Sequence, residues 1–343
     1  ASSLFSKAIE ADSKYVEGSL FQLAENSRKF FDFEKAVSTY DALRSRFPKS
    51  ERIPYAMYKT AELLEAQGRL QEASRAYERW ASAYPNDPVV GSILFKTAEL
   101  NERLGNRDEA VRFYRDFVKK FGGKSENNER VVEAIARVAE IQKGAGQLRD
   151  WEASQKAVIA EFERRGLKPG TPVSRYPARA RFLFIEPKFR EYEAIQFKGD
   201  LKTQGKLIQQ KVKLLDELER EYAEVMPYLH PEWMAAATFR LAEIHDLFAK
   251  ALFKADVPPM SQEEEDIYRT AIEDKAMIYQ QTAQARYVQL IEQGRQRKLD
   301  NEWTRKAVES MNRFDPQRFP LYKEEHRVLD YKVRVAPVFE ESL

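Results

Sequence analysis

The sequence predicts an all-α fold: a solenoid of antiparallel helix hairpins followed by a helical C-terminal module that caps it. Three observations carry that expectation. Three blocks superimpose without gaps at a spacing of 37 residues, with Ala24, Ala61 and Ala98 in one register, Ala36, Ala73 and Ala110 in a second, and Tyr40, Tyr77 and Tyr114 in a third. A fixed period of this size marks a repeat array in which each unit buries its apolar face against its neighbours. Within each block, and again over long stretches after the array, apolar residues recur at helical spacing.

Taken in order, Leu4–Ala11 reads as the second helix of a preceding hairpin whose first helix is missing, and the chain has no initiating Met, so it is expected to be a piece of a longer protein. The second block shows the unit most clearly. Met57, Thr60, Ala61 and Leu64 form the stripe of its first helix. Gly68 ends that helix, because glycine takes the left-handed conformation without penalty. Leu70, Ala73, Tyr77 and Trp80 form the stripe of the second helix, which stops at Tyr84-Pro85 because the residue before proline leaves helical geometry. Phe47, Tyr84 and Phe121 are a fourth register, with Pro48, Pro85 and Gly122 closing the blocks. Alanine is expected where helices approach closely, and the aromatic positions are expected to fill the space between hairpins. A fourth block is degenerate: Ala139, Gly146, Leu148 and Phe162 keep their places, whereas Trp151 replaces the second alanine and Gln155 the aromatic.

These positions resemble the tetratricopeptide repeat (TPR) family, in which a small residue is followed after twelve residues by alanine, then an aromatic, then a proline; here they are Ala61, Ala73, Tyr77 and Pro85, with Gly68 at the turn. The resemblance implies a right-handed superhelix. The family period is 34 residues, so each unit carries three more, as in elongated repeats of bacterial envelope TPR proteins. Phe184 to Phe189, Asn301-Glu302-Trp303 and Asn312 to Pro320 are similar to the C-terminal module of large TPR proteins of predatory and gliding deltaproteobacteria. That implies an envelope setting and an assembly role.

The array is expected over 1–165, as a half repeat plus about four hairpins. Over 166–200, Gly166, Pro169, Gly170, Pro172, Pro177 and Pro187 punctuate a stretch holding Phe182, Leu183, Phe184 and Ile185, which predicts an irregular connection packed on the last repeat. The module spans 201–343. Leu207, Ile208, Val212, Leu215, Leu218, Tyr222 and Val225 trace one long helix, and His230-Pro231-Glu232-Trp233 opens another whose Leu241-Ala242-Glu243-Ile244 suggests a further TPR-like hairpin. After Pro258-Pro259 a helix of about thirty residues runs through Tyr268 to Leu290, and Trp303 to Phe314 is a last short helix. Tyr331, Val333 and Val335 alternate with Lys332 and Arg334; the tail is read either as a strand ended by Pro337 or as an extended segment.

Composition narrows the function. Lys and Arg number 57 against 55 Asp and Glu, without the basic excess of a nucleic-acid binder. No run approaches the ~18–20 apolar residues of a membrane span. The absence of cysteine excludes disulfides, thiolate zinc sites and thiol catalysis. His230, His245 and His326 lie far apart, without metal-ligand spacing, and no nucleophile arrangement is visible. Gly122-Gly123-Lys124-Ser125 ends like a phosphate loop, yet Val118 stands where that loop needs its first glycine. Glu263 to Asp266 follows Ser261 at a helix start, where acids favour the dipole. No catalytic residue, cofactor or metal is therefore assigned.

In the resemblance, the concave groove is lined by the first helix of each hairpin. The register places Phe21, Tyr58 and Phe95 in one row, Lys59, Lys96 and Arg137 in the next, and Glu25, Glu62, Glu99 and Glu140 in a third. In chaperone-binding TPR domains the corresponding rows clamp a peptide carboxylate; glutamates would repel one. Two readings stand. One is an aromatic ladder with a flanking acidic row, suited to a segment bearing apolar and basic side chains. In the other the aromatics pack between hairpins, while Lys59–Glu62 and Lys96–Glu99 are ordinary i,i+3 surface pairs. The function expected is a non-catalytic interaction scaffold in a bacterial envelope or motility assembly, located in the periplasm or envelope, with a cytoplasmic location as the alternative. A regulatory subunit of a cell-wall enzyme, and a peptide or small-ligand sensor with a pocket between array and module, are the other readings.

Overall fold

The 37-residue period emerges as consecutive helix hairpins in the computed structural model, which describes Lys7 and residues 15–321. The expected half hairpin Leu4–Ala11, the tail through Tyr331–Val335 and His326 lie outside the described residues. Among the described residues all regular structure is helical, with no strand. The chain divides into two compact units, Ala1–Pro187 with Ala223–Trp233, and Lys188–Tyr222 with Met234–Leu343.

In the first unit four hairpins follow one another: α1 (Val16–Lys29) with α2 (Phe33–Arg46), α3 (Ile53–Ala66) with α4 (Leu70–Ala83), α5 (Val90–Arg103) with α6 (Arg107–Phe121), and α7 (Asn128–Gly144) with α8 (Leu148–Arg164). Each helix packs on the one before and the one after it. All seven register alanines from Ala24 to Ala139 are fully buried, as are Tyr40, Tyr77 and Tyr114. Small residues thus sit where backbones approach, and the tyrosines fill the spaces beside them. Trp80 joins this core and donates its indole N–H to the Pro54 carbonyl at 2.7 Å.

The inter-helix turns repeat as well. Gly68, Gly105 and Gly146 adopt left-handed φ angles of 74°, 77° and 73°, and the next N–H in each turn bonds back to the helix, as in Arg69 to the Leu64 carbonyl at 2.9 Å. The first hairpin has the same turn but places Phe31 in the glycine's position, at φ 62°. Phe30 and Phe31 are 79% and 81% exposed there.

The fourth hairpin accommodates its departures from the pattern. Gln155 is buried where the tyrosine stood, and Ser154 donates to the buried Gln142 at 2.7 Å. Trp151 lies 6.3 Å from Phe184 between ring centroids. The irregular connection expected over 166–200 is instead helical over α9 (Arg175–Ala194), with Pro187 inside it. Pro177 sits in the first turn, where its missing N–H has no intrahelical partner to lose. Ala178, Phe182, Ile185, Phe189 and Tyr192 are buried at spacings of four and three. Four large side chains on one helical face, each worth roughly 1.5–3 kcal/mol buried, outweigh an interior proline costing about 3 kcal/mol. Within the first unit, residues 223–233 lie on the last hairpin: Tyr228 meets Phe162 at 5.7 Å, its carbonyl accepts from Gly170 at 2.9 Å, and Trp233 meets Phe182 at 5.4 Å.

The second unit holds α10 (Leu201–Ala223) up to Tyr222, α11 (Pro231–Phe253) from Met234, α12 (Gln262–Arg297) and α13 (Glu302–Asn312). Lengths of 23 residues for α11 and 36 for α12 separate them from the 14-residue helices of the first hairpins, so the TPR-like hairpin expected around Leu241 does not have the dimensions of the array. Phe239, Ala242, Tyr287, Leu290, Ala307 and Met311 belong to one core there. Ser261 caps α12 through a reciprocal bond with Glu264, which accounts for the acidic run as a helix start. Lys211 of α10 is fully buried. Its ammonium donates to the Tyr192 and Ile195 carbonyls at 2.9 and 2.8 Å and lies 4.4 Å from the centre of the Tyr192 ring.

Candidate groove on the first helices

The first helices α3, α5 and α7 border a cavity of about 850 Å³, lined among others by Glu65 from α3, Phe95, Lys96, Glu99 and Glu102 from α5, and Arg130, Glu133 and Arg137 from α7. Of the ten residues picked out in the sequence, Phe95, Lys96, Glu99 and Arg137 meet here. Phe21, Glu25, Tyr58, Lys59, Glu62 and Glu140 do not line this cavity.

The aromatic row is spent largely on packing within its own hairpins. Phe21 lies 6.5 Å from Tyr40, Tyr58 lies 6.1 Å from Tyr77 and 6.2 Å from Trp80, and Phe95 lies 5.4 Å from both Tyr114 and Phe117. Phe95 is only 6% exposed, whereas Phe21 and Tyr58 keep partial exposure. Cations cover the outer faces of these rings: Arg52 over Phe21 at 5.2 Å, Lys59 over Tyr58 at 5.3 Å and Arg130 over Phe95 at 5.8 Å.

The charged rows form a network that repeats with the array. Tyr77 donates its hydroxyl to Glu65 at 3.1 Å, and Lys96 of the next hairpin pairs with the same carboxylate at 2.7 Å. One unit on, Tyr114 donates to Glu102 at 3.0 Å and Arg137 stands 3.5 Å from Glu102 and from Glu133. Tyr176 donates to Glu133 at 2.9 Å. The first hairpin breaks the row, since Arg28 occupies the register of Glu65. There Tyr40 donates to Glu25, which also pairs with Arg28 at 2.7 Å. Lys59, with no acid behind it in that register, pairs with Glu62 at 2.6 Å. Glu140 is bonded by Arg179.

The expected Lys96–Glu99 pair does not form, because Glu65 draws Lys96 away across the hairpin boundary. Among the described residues Glu99 has no hydrogen bond and no ion pair. Burial, and then the neighbouring Glu133 and Glu102, push its carboxyl above the usual carboxylate range against the opposing pull of Arg137. Glu25 goes the other way: burial opposes it, but the bonds from Arg28 and Tyr40 hold it below that range. Burial, a hydrogen bond from its hydroxyl to Glu62 and the charge of Glu62 push Tyr58 up to about 12. Sequence reasoning missed Glu65 and Glu102, although both stand four residues after a register alanine and repeat at 37. Arg28, in the same place, hides that row.

His245 lies 3.0 Å from Glu219, which also accepts from Arg286 at 2.6 Å. Among the described residues no group of three or more metal-ligating side chains converges, and no helix is long and apolar enough to cross a membrane.

Residues 19–50, 55–87 and 93–123 match the tetratricopeptide repeat family profile. The first three hairpins match tetratricopeptide repeats. Solved structures similar to this chain include MamA, 15% identical with a TM-score of 0.34 over 47% of this chain and 86% of that one. YrrB, described as a TPR protein with an unusual peptide-binding site, is 14% identical with a TM-score of 0.35 over 62% and 93%. A tetratricopeptide repeat protein from Parabacteroides merdae is 14% identical with a TM-score of 0.36 over 75% and 98%. No curated protein matches the chain. The three matched segments coincide with the three regular hairpins, and the cavity is bordered by the first helices of the second and third of them and by α7.

Proposed function

We propose that this chain is a non-catalytic interaction scaffold that receives an extended segment of a protein partner on the first-helix face of its TPR array, within a bacterial envelope or motility assembly. The observation that carries the reading is the cavity between α3, α5 and α7, whose volume of about 850 Å³ lies in the roughly 300–1,000 Å³ range of ligand pockets. Its wall is polar and charged over a single aromatic ring, as suits a peptide better than an apolar small molecule. The envelope setting rests on the elongated 37-residue period and on the resemblance of the C-terminal segments, and localisation to the periplasm or envelope goes with it. A scaffold in such an assembly holds its partner through many modest contacts along a groove.

The test is affinity capture from solubilised envelope extract, comparing the wild-type chain with Ser92→Trp. Ser92 is exposed at the cavity wall, so the indole fills the groove without entering the core. Loss of one specific partner with an unchanged circular dichroism spectrum is the expected result. Capture of the same partners in the same amounts would overturn the reading.

A further inference from the structure

The acidic row treats its members unequally. Glu25 is held by Arg28 and Tyr40, Glu62 by Lys59 and Glu140 by Arg179. Glu99, in the same register, is the one without a hydrogen bond or ion pair among the described residues, and it is also the member that lines the cavity. The cause lies in the network itself. The lysine that would serve it at i−3 is drawn to Glu65 at 2.7 Å. Arg137 is shared between Glu102 and Glu133 at 3.5 Å each. Arg130 donates to Ser92 at 2.7 Å. Arg103, one turn further along α5, is exposed and makes no bond to Glu99. A half-buried carboxylate left bare beside two others is unfavourable until a cation reaches it.

We infer that Glu99 is the specificity-determining residue of the groove: it binds one lysine or arginine side chain of the incoming segment. The inference rests on the scaffold reading above and names the chemistry of the partner at that point. The cation completes the pattern already set by the rest of the row, in which each glutamate has one basic partner. Lys96, Arg103, Arg130 and Arg137 also line the cavity, so the discrimination is local: a glutamate or aspartate set against Glu99 itself would face a like charge, whereas a lysine or arginine there would face an opposite one.

The test begins with a phage-displayed library of random peptides about twelve residues long, selected on the wild-type chain and screened against Ser92→Trp to retain groove binders. A selected peptide, and the same peptide with its basic residue replaced by glutamine, are then titrated by fluorescence anisotropy against the wild type, Glu99→Gln and the control Glu72→Gln on the second-helix side. Glu99 has no partner to lose, so Glu99→Gln keeps the fold. The expected result is a lysine or arginine at one fixed place in the selected peptides, with an affinity about tenfold lower on Glu99→Gln, the effect of one charge-assisted contact, and unchanged on Glu72→Gln. The glutamine peptide should bind wild type and Glu99→Gln alike. Groove binders without a fixed basic residue, or an equal loss for both peptides, would overturn the assignment of Glu99 and leave the scaffold reading standing. Recovery only of peptides that bind Ser92→Trp as well as wild type, or of none, would overturn both.

Discussion

Lys211 makes the second unit's stability rise with pH through the alkaline range. Its ammonium is fully buried, and burial lowers its pKa from the usual 10.5 to about 8. Between these values the unfolded chain still holds a proton that the folded chain has released, so the unfolded state binds more protons and stability rises with pH. Below about pH 8 both states are protonated and the whole penalty for the buried charge is present. Above about pH 10.5 both are neutral and it is gone. A difference of 2.5 pH units corresponds to about 3 kcal/mol in all, of which about 2 kcal/mol is recovered between pH 7 and 9.5. The neutral amine keeps two hydrogens, enough for the Tyr192 and Ile195 carbonyls. Lys211→Met abolishes the titration, leaves the Ile195 carbonyl without its donor at roughly 1–3 kcal/mol, and leaves the Tyr192 carbonyl only the Ile195 N–H at 3.3 Å. The assay is urea denaturation of wild type and Lys211→Met at pH 7.0, 8.0, 9.0 and 9.5, following ellipticity. The wild type should gain about 2 kcal/mol on the variant across that range. Parallel stability profiles would refute the reasoning, as would a wild-type advantage that shrinks with rising pH.

Other substitutions probe the array and the second unit. Ala98→Leu puts three carbons into a fully closed site and should lower stability by about 1–3 kcal/mol, whereas Ala66→Leu on the exposed end of α3 should change it by less than about 0.5 kcal/mol; thermal melts compare the pair. Phe31→Gly should be close to neutral, because relief of the left-handed phenylalanine, about 1–2 kcal/mol, is offset by the lost Phe31–Phe33 contact and the greater chain entropy of glycine. The reverse change at Gly105, to phenylalanine, should cost about 1–2 kcal/mol. Asp246→Asn removes the buried carboxylate that the partly exposed Lys250 and Arg313 pair with at 2.8 and 2.9 Å and should cost about 1–2 kcal/mol in urea denaturation.

The repeat was the most legible part of the chain, because position alone carries it: an alanine that recurs every 37 residues has to be where helices touch, and Gly68 has to be where a helix turns back. Phe31 shows the limit, since the turn is fixed by its neighbours and tolerates a residue that no turn rule would choose. The helix through Pro187 was hidden for a different reason. In a sequence, prolines mark breaks, while the face from Ala178 to Tyr192 that overrides them becomes decisive only when something lies against it. Lys211 reads as one more polar residue on a helix until burial makes it a cap for two carbonyls. In the groove the rows were legible but the pairings were not. Whether Lys96 bonds Glu99 three residues away or Glu65 in the previous hairpin depends on how closely successive hairpins stack. That choice decides which carboxylate is left for a partner.

The most direct test of the groove as the binding surface is site-specific photocrosslinking in the native envelope, with a benzophenone amino acid placed at Arg103 on the first-helix face or at Arg75 on a second helix. The account predicts one discrete adduct from Arg103, competed by a basic peptide selected on the wild-type chain, and none from Arg75. Adducts of equal yield from both positions, or from Arg75 alone, would contradict it.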